Sequence, residues 1–358
     1  MSATVRGGWA WLRSAPGLRA TTVASVAANV LIVVTGGAVR LTASGLGCPT
    51  WPRCTDGSLV RTSARGVHGL IEFTNRTLTF ALLVVAVATL IAAIGQRRQI
   101  RLAVLALAGI PAQAVLGGIS VLTHLNPWVV SAHLLLSMAI LAVTVGLWWR
   151  VRHPGSTGRA RLAPGLLLAR LVVAFTALTL VAGTVVTGSG PHAGAVGADG
   201  RHVHRNGLAP ASTAQLHADL VMVLIGLTVG LVLLLRATRA GRVAYRSAVG
   251  LLAVELAQGL IGFVQYFTHL PVLLVGLHVA GACAVWVAAL VTALRVGADA
   301  TSAGADGPGS EHLGHDVDDQ PDQRADHGAV HPDELEIPPD LELEAPAGVR
   351  GVPAGDRR

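Results

Sequence analysis

The sequence predicts an all-α polytopic membrane protein: eight transmembrane helices in two pseudosymmetric four-helix bundles, followed by a disordered acidic C-terminal tail. Three observations predict it. The 358 residues are 52% hydrophobic and only 13% charged, whereas soluble domains carry about 25% charge. Apolar runs of the length that crosses a bilayer recur eight times. Several short motifs also return at a fixed offset of 145 residues.

The spans read as 20–39, 70–94, 102–122, 128–149, 165–187, 214–235, 245–267 and 271–294. Membrane β-barrels are written in short alternating segments instead, which this chain lacks. Span one has basic flanks without a cleavage site, so it is expected to be retained.

Repeats define the halves. Gln113-Ala-Val-Leu-Gly117 matches Gln258-Gly-Leu-Ile-Gly262, Thr123-His124-Leu125 matches Thr268-His269-Leu270, and His133 matches His278. A weaker match joins Val39–Gly45 to Val185–Gly190. Four spans per copy means parallel halves, related by an axis along the membrane normal. The expected organisation is an N-terminal cytoplasmic segment (1–19), a first bundle (20–149), a second bundle (150–295) and a tail (296–358).

Charge is divided unevenly. Up to Arg295 there are 23 arginines against five acids (Asp56, Glu72, Asp199, Asp219 and Glu255), a net of +18. The remainder holds 4 arginines and 15 acids, a net of −11. No lysine occurs. The arginines lie in short loops and form no basic face, so nucleic acid is excluded as a partner and membrane lipid is expected. Fourteen arginines fall at one end of the spans and six at the other. The positive-inside rule then puts both termini in the cytoplasm of a multi-pass cell-membrane protein. Residues 296–358 have too few large apolar groups to bury a core and are expected to be disordered. The tail histidines (His312, His315, His327, His331) are read as solvated.

Ionisable groups inside a membrane are costly, and they mark function. His133 lies in span four, His217 near the outer end of span six and His278 in span eight. Imidazoles projecting from different helices of a bundle suit haem iron. A catalytic zinc site asks for three close protein ligands, and no His-Glu-x-x-His segment is present. His124 and His269 end their spans beside short loops; haem-edge contact and simple capping are both open. His192, His202 and His204 fall in a Gly-rich loop and read as solvated.

Span two opens with a second cluster. His68, Glu72 and Asn75 share one helical face, and Arg76 stands four residues after Glu72. Glu72 is the only acid in the first four spans. It is either a structural ion pair with Arg76 or a carboxylate at a reacting centre. Cys48 and Cys54 bracket Cys-Pro-Thr-Trp-Pro-Arg-Cys in an outer loop, where an oxidising compartment favours a disulfide, structural or redox-active. Cys283 reads as a packing residue.

The residues together resemble the haem A synthase family, of an actinobacterial type related to the bacterial and mitochondrial haem O oxidising proteins. The resemblance rests on Gly36–Cys48 with Trp51-Pro52 and Cys54, on Ile71-Glu-Phe-Thr-Asn-Arg76, on Val185–Gly194, on Gln215-Leu-His-Ala-Asp219, and on the histidines of spans four and eight. It covers about 20–295. It implies an oxidoreductase of haem biosynthesis that converts the C8 methyl of haem O to a formyl group, giving haem A for cytochrome oxidase assembly. It further implies a resident haem b in the second half, its iron held by His217 and His278. Substrate haem would sit in the first half with His133 as a ligand, Glu72 as the essential acid and Cys48–Cys54 as the outer-loop pair. A haem O synthase and an electron donor are the implied partners. The sequence is compatible with a homo-oligomer but specifies no oligomeric state.

One position departs from that pattern. Many family members carry histidine three residues after the span-two acid, where this chain has Asn75, and an amide is a poor ligand for haem iron. His68 lies seven residues earlier, about 10.5 Å along the axis. The first-half haem is therefore expected to be five-coordinate through His133, or held by His68 in a shifted pose. Two rivals stand beside this reading. A dihaem b-type electron-transfer protein would carry two axial histidines in each half, and a transporter would show broken helices or a polar midplane.

Overall fold

The computed structural model describes residues 3–48, 50–53, 66–155, 164–192, 194 and 203–305. These residues form helices and turns, with no strand among them. The helices are α1 (Ala3–Leu12), α2 (Ala15–Leu41), α3 (Gly66–Gly95), α4 (Ile100–Leu122), α5 (Pro127–Arg152), α6 (Pro164–Ser189), α7 (Pro210–Ala237), α8 (Arg242–Phe267) and α9 (Val272–Ala305). Eight of them, α2 to α9, are long and apolar enough to cross a membrane, and they coincide with the eight expected spans. The chain is a multi-pass helical membrane protein.

Two features extend the sequence reading. The segment 1–19 contains α1, too short to register as a span. It packs on α2 and α3, and Gln96 Nε2 ties it down by donating to the Arg13 carbonyl at 2.5 Å. Its exposed Trp9 and Trp11 are of the type that anchors at a membrane surface. At the other end, the tail boundary at 296 is corrected. Helix α9 runs on to Ala305, because Val296 is buried in the second core and Asp299 Oδ2 accepts the Gly241 N–H at 2.8 Å, satisfying an orphan donor at the start of α8. Residues 306–358, with their four histidines, lie outside the described residues.

Within α2–α5 each helix packs on its two ring neighbours, and α6–α9 repeat that arrangement pair for pair. A seam of α2, α5, α6 and α9 joins the two rings. It is filled by Val33, Met138, Leu141, Val145, Cys283 and Trp286. Trp286 Nε1 donates across it to the Met138 carbonyl at 2.9 Å. The apolar clusters of the two rings lie toward the arginine-rich end: Leu18, Ala92, Ala103, Leu147 and Val151 in one, Leu231, Leu235, Ala244, Ala248 and Leu251 in the other. The opposite end, where the histidines gather, is left polar.

Repeated turns hold the helices in register. His124 and Leu125 have positive φ (52° and 60°), as do His269 and Leu270 (61° and 60°). The N–H of Leu125 bonds back to Ser120 and that of Leu270 to Gln265, each at 2.7 Å. These are left-handed helix stops of the kind glycine usually supplies. His124 and His269 are exposed, so the backbone turn is the role the structure gives them.

Candidate functional site

In the second ring His217 (α7) and His278 (α9) face each other with ring centroids 6.4 Å apart and planes at 71°. Each ring rests on a glycine. A Cβ at Gly183 would lie 3.2 Å from His217 Cε1, and one at Gly262 would lie 3.2 Å from His278 Cε1. The Nδ1 atoms of both rings are buried without a hydrogen-bond partner among the described residues. From α8, Gln258 Nε2 donates to the His278 carbonyl at 2.8 Å and fixes its height.

The first ring repeats part of this. A Cβ at Gly117 would lie 3.0 Å from His133 Cε1, Gln113 Nε2 donates to the His133 carbonyl at 3.1 Å, and His133 Nδ1 is likewise a buried orphan. The other half of the pair differs. Ser44 Oγ lies 3.1 Å from His68 Nδ1, and 145 residues on Ser189 Oγ lies 2.9 Å from Thr213 Oγ1. The same offset therefore aligns α3 with α7, and it puts Glu72 at the position His217 occupies in the second ring. An imidazole in one copy is a carboxylate in the other. No identity marks this correspondence in the sequence, which is why it was missed there.

Glu72 is 5% exposed and both of its oxygens are engaged. Oε2 accepts the Cys48 N–H at 2.6 Å. Oε1 accepts Arg76 Nη2 at 2.6 Å and Nε at 3.1 Å. Arg76 also donates to the carbonyls of Cys48 (2.9 Å) and Thr50 (3.3 Å). The i,i+4 pair thus holds the loop after α2 down on the acid. Asn75 turns to α2, its Oδ1 accepting from Thr35 Oγ1 at 2.8 Å. His68 is exposed.

Trp51 enters the sequence reading only as part of the loop motif, with no partner assigned to it. Its indole lies against Gly118 of α4 so closely that a Cβ there would overlap it. The neighbouring Gly117 carries His133. Cys48 and Trp51 therefore bridge Glu72 on α3 to the glycine pair beside His133. Cys54 lies outside the described residues, and the free cysteine among those described is Cys283, which is buried.

His192 is not solvated as expected: its Nε2 lies 3.0 Å from the Leu270 carbonyl. Arg40 donates to the His192 carbonyl at 2.8 Å and to Thr187 at 2.7 Å, while Arg205 donates to Pro191. Arg205 is harder to protonate than an ordinary arginine because it is partly desolvated. His204 is exposed and His202 lies outside the described residues. Asp219 is also exposed and accepts from Gln215 at 2.7 Å, so it does not serve His217.

No group of three or more His, Cys, Asp or Glu side chains among the described residues is arranged to hold a bare metal ion. An iron already held by a porphyrin needs only two protein ligands. Metal–imidazole bonds of about 2.0 Å, plus about 1.2 Å from each nitrogen to its ring centre, separate two centroids by roughly 6.4 Å. The His217–His278 spacing fits that requirement, and the glycine cradles leave room for the rings to align. In the first ring the repeat position of His217 holds Glu72, and His68 is exposed.

The fold and the paired sites define a helical membrane protein with one histidine-pair bundle and one histidine–carboxylate bundle. The chain belongs to the cytochrome oxidase assembly protein family COX15-CtaA, whose model matches residues 19–290. No curated protein matches the chain significantly. The family assignment gives the protein a role in cytochrome oxidase assembly and haem A synthesis.

Proposed function

We propose that the protein is a haem A synthase that oxidises the C8 methyl of haem O to a formyl group. The observation that carries this reading is the substitution of Glu72 for an imidazole at the repeat position of His217. A dihaem electron-transfer protein would keep imidazole pairs in both rings, whereas here one ring exchanges a ligand for an acid. His217 and His278 would hold a resident haem b, and His133 would ligate the substrate haem. The haem iron, when bound, supplies the oxidation chemistry and one-electron transfer.

The chain's own residues have distinct tasks. Gln113 and Gln258 set the depth of the two α5 and α9 histidines. Arg76 and the Cys48 N–H hold both oxygens of Glu72, so the carboxylate is fixed in direction and its proton exchange with a bound substrate is governed by the loop above it. Trp51 packs that loop against Gly118, beside the glycine that carries His133. A Cys48–Cys54 disulfide would lock the loop at its far end. Asn75, bonded to Thr35, leaves one face of the substrate haem without a protein ligand, in keeping with five-coordination through His133 rather than ligation by the exposed His68.

Further parts of the reading follow from charge and chemistry. The arginine asymmetry supports a cell-membrane protein with both termini cytoplasmic. A haem O synthase and an electron donor are the partners the reaction requires.

The test is to express the chain in membranes that already make haem O, extract the haems and analyse them by mass spectrometry. Wild type is expected to yield haem A and a hydroxylated intermediate, and Glu72→Ala neither. Bound haem b without any new product, even after the cognate reductant is added, would favour the electron-transfer alternative.

A further inference from the structure

One acid inside the second ring has no part in the scheme above. Glu255, in the middle of α8, is 3% exposed. Its Oε1 accepts the Thr228 hydroxyl of α7 at 3.0 Å, and its Oε2 is buried with no partner among the described residues. Thr228 could instead have satisfied itself within its own helix, as Thr176 and Thr187 do. A carboxyl at this depth is costly in its charged form and is retained by function more often than by packing. A leucine there would simply extend the surrounding cluster of Leu251, Leu224 and Leu231.

Its place along α8 is informative. Gln258, one turn on, bonds the His278 carbonyl, and Gly262, two turns on, cradles the His278 ring. At 1.5 Å per residue, Glu255 lies about 10 Å below that glycine along the helix axis. That is within strong Coulomb range of an iron between His217 and His278 where the dielectric is low.

Few other charges compete. Helix α8 packs on α7 and α9. Between Asp219 and Arg236, α7 has no titratable residue. Between His278 and Arg295, α9 has only Cys283, which packs in the seam cluster. On α8 itself Arg246 and Tyr245 stand more than two turns away. Arg295 donates to Ser247 Oγ at 3.3 Å, on the arginine-rich side of Leu251. Glu255 is therefore the nearest group along α8 able to offset a change of charge at the histidine pair.

We infer that Glu255 is a proton-exchanging residue linked to the oxidation state of the haem held by His217 and His278, an inference that rests on the haem reading above. When one electron from a one-electron reductant enters the iron, one proton from water enters the Glu255 carboxylate, giving the neutral acid and leaving the net charge of the bundle unchanged. On oxidation the electron and the proton both leave. The ferric site, one positive charge richer, favours the ionised carboxylate; the ferrous site favours the acid. The midpoint potential must then fall with rising pH, between the pH at which Glu255 ionises beside oxidised haem and the higher pH at which it ionises beside reduced haem. Glu255 acts through the iron's charge and is a tuning residue, not a ligand.

The experiment is an anaerobic spectroelectrochemical titration of the purified full chain in detergent across pH 6 to 9, on wild type and Glu255→Gln. The wild-type midpoint is expected to fall with pH. The variant is expected to give a flatter line that lies above wild type at the alkaline end. A wild-type slope retained in Glu255→Gln overturns the inference while leaving the haem reading intact. A chain purified without a low-spin b-type haem spectrum overturns both. If Glu255→Gln does not fold, Thr228→Val carries the test. Losing the donor disfavours the ionised carboxylate, so the sloping region must move to higher pH, and an unchanged profile overturns the proposal.

Discussion

Arg76 Nη2 lies 2.6 Å from Glu72 Oε1 and 2.9 Å from the Cys48 carbonyl. One guanidinium therefore grips the buried acid and the loop that covers it. Lysine could keep the charge but not the fork, since its ammonium is a point donor. Arg76→Lys is expected to lower haem A formation by about 100-fold, the scale of a misplaced catalytic group, while the haem b spectrum of the second ring is unchanged. Haem extraction with mass spectrometry, alongside reduced-minus-oxidised absorbance, reads both quantities. Equal haem A yield from the variant would show that the ion pair is structural only.

The two rings are predicted to respond separately to histidine loss. His278→Ala removes one partner of the 6.4 Å pair and is expected to abolish the low-spin b-type signal in purified protein. His133→Ala is expected to keep that signal and lose product. The measurement is the dithionite-reduced spectrum with haem content per chain. Loss of the b-type signal in His133→Ala but not in His278→Ala would reverse the assignment of the halves.

The eight spans were legible because hydropathy depends on composition alone, and α2 to α9 match the apolar runs. The Glu72–Arg76 contact was legible too, since residues four apart on a helix must meet. Contacts set by tertiary folding were not. Trp51 reaches Gly118 across 67 positions of chain, and nothing local announces it. The equivalence of Glu72 and His217 was hidden for another reason: the offset of 145 was visible, but the two residues differ in kind. Helix α1 and the end of α9 escaped because the criterion for a span is blind to short or partly polar helices. His124 and His269 drew notice as imidazoles, although the structure uses them as turn residues with positive φ, a role normally signalled by glycine.

Glycine beside an imidazole has a measurable consequence. A Cβ at Gly262 would lie 3.2 Å from His278 Cε1, whereas one at Gly259, a turn earlier, would meet nothing within 4 Å. Gly262→Ala must push the ring or the helix by a few tenths of an ångström. It is expected to weaken haem retention about 10-fold, as loss of an orienting contact around a metal ligand does. Gly259→Ala should bind as wild type does, and should gain slightly in helix propensity. Haem loss to excess apomyoglobin gives the comparison. Equal off-rates for the two variants would mean that the cradle does not set the ring position.

The seam gives the stability prediction. Trp286 Nε1 donates to the Met138 carbonyl inside a cluster that joins the two rings. Trp286→Phe keeps most of the volume, loses that bond and is expected to cost about 1 kcal/mol. Trp286→Ala adds a cavity among Val33, Leu141 and Val145 and is expected to cost about 3–5 kcal/mol. Thermal unfolding in detergent, followed by helical circular dichroism at a fixed scan rate, should rank wild type above Phe and Phe well above Ala. Because the bond crosses between rings and involves neither His217 nor His278, the Phe variant should retain its full b-type haem spectrum at low temperature. A Phe variant that lost haem before it lost helix would show instead that the seam transmits strain to the haem site.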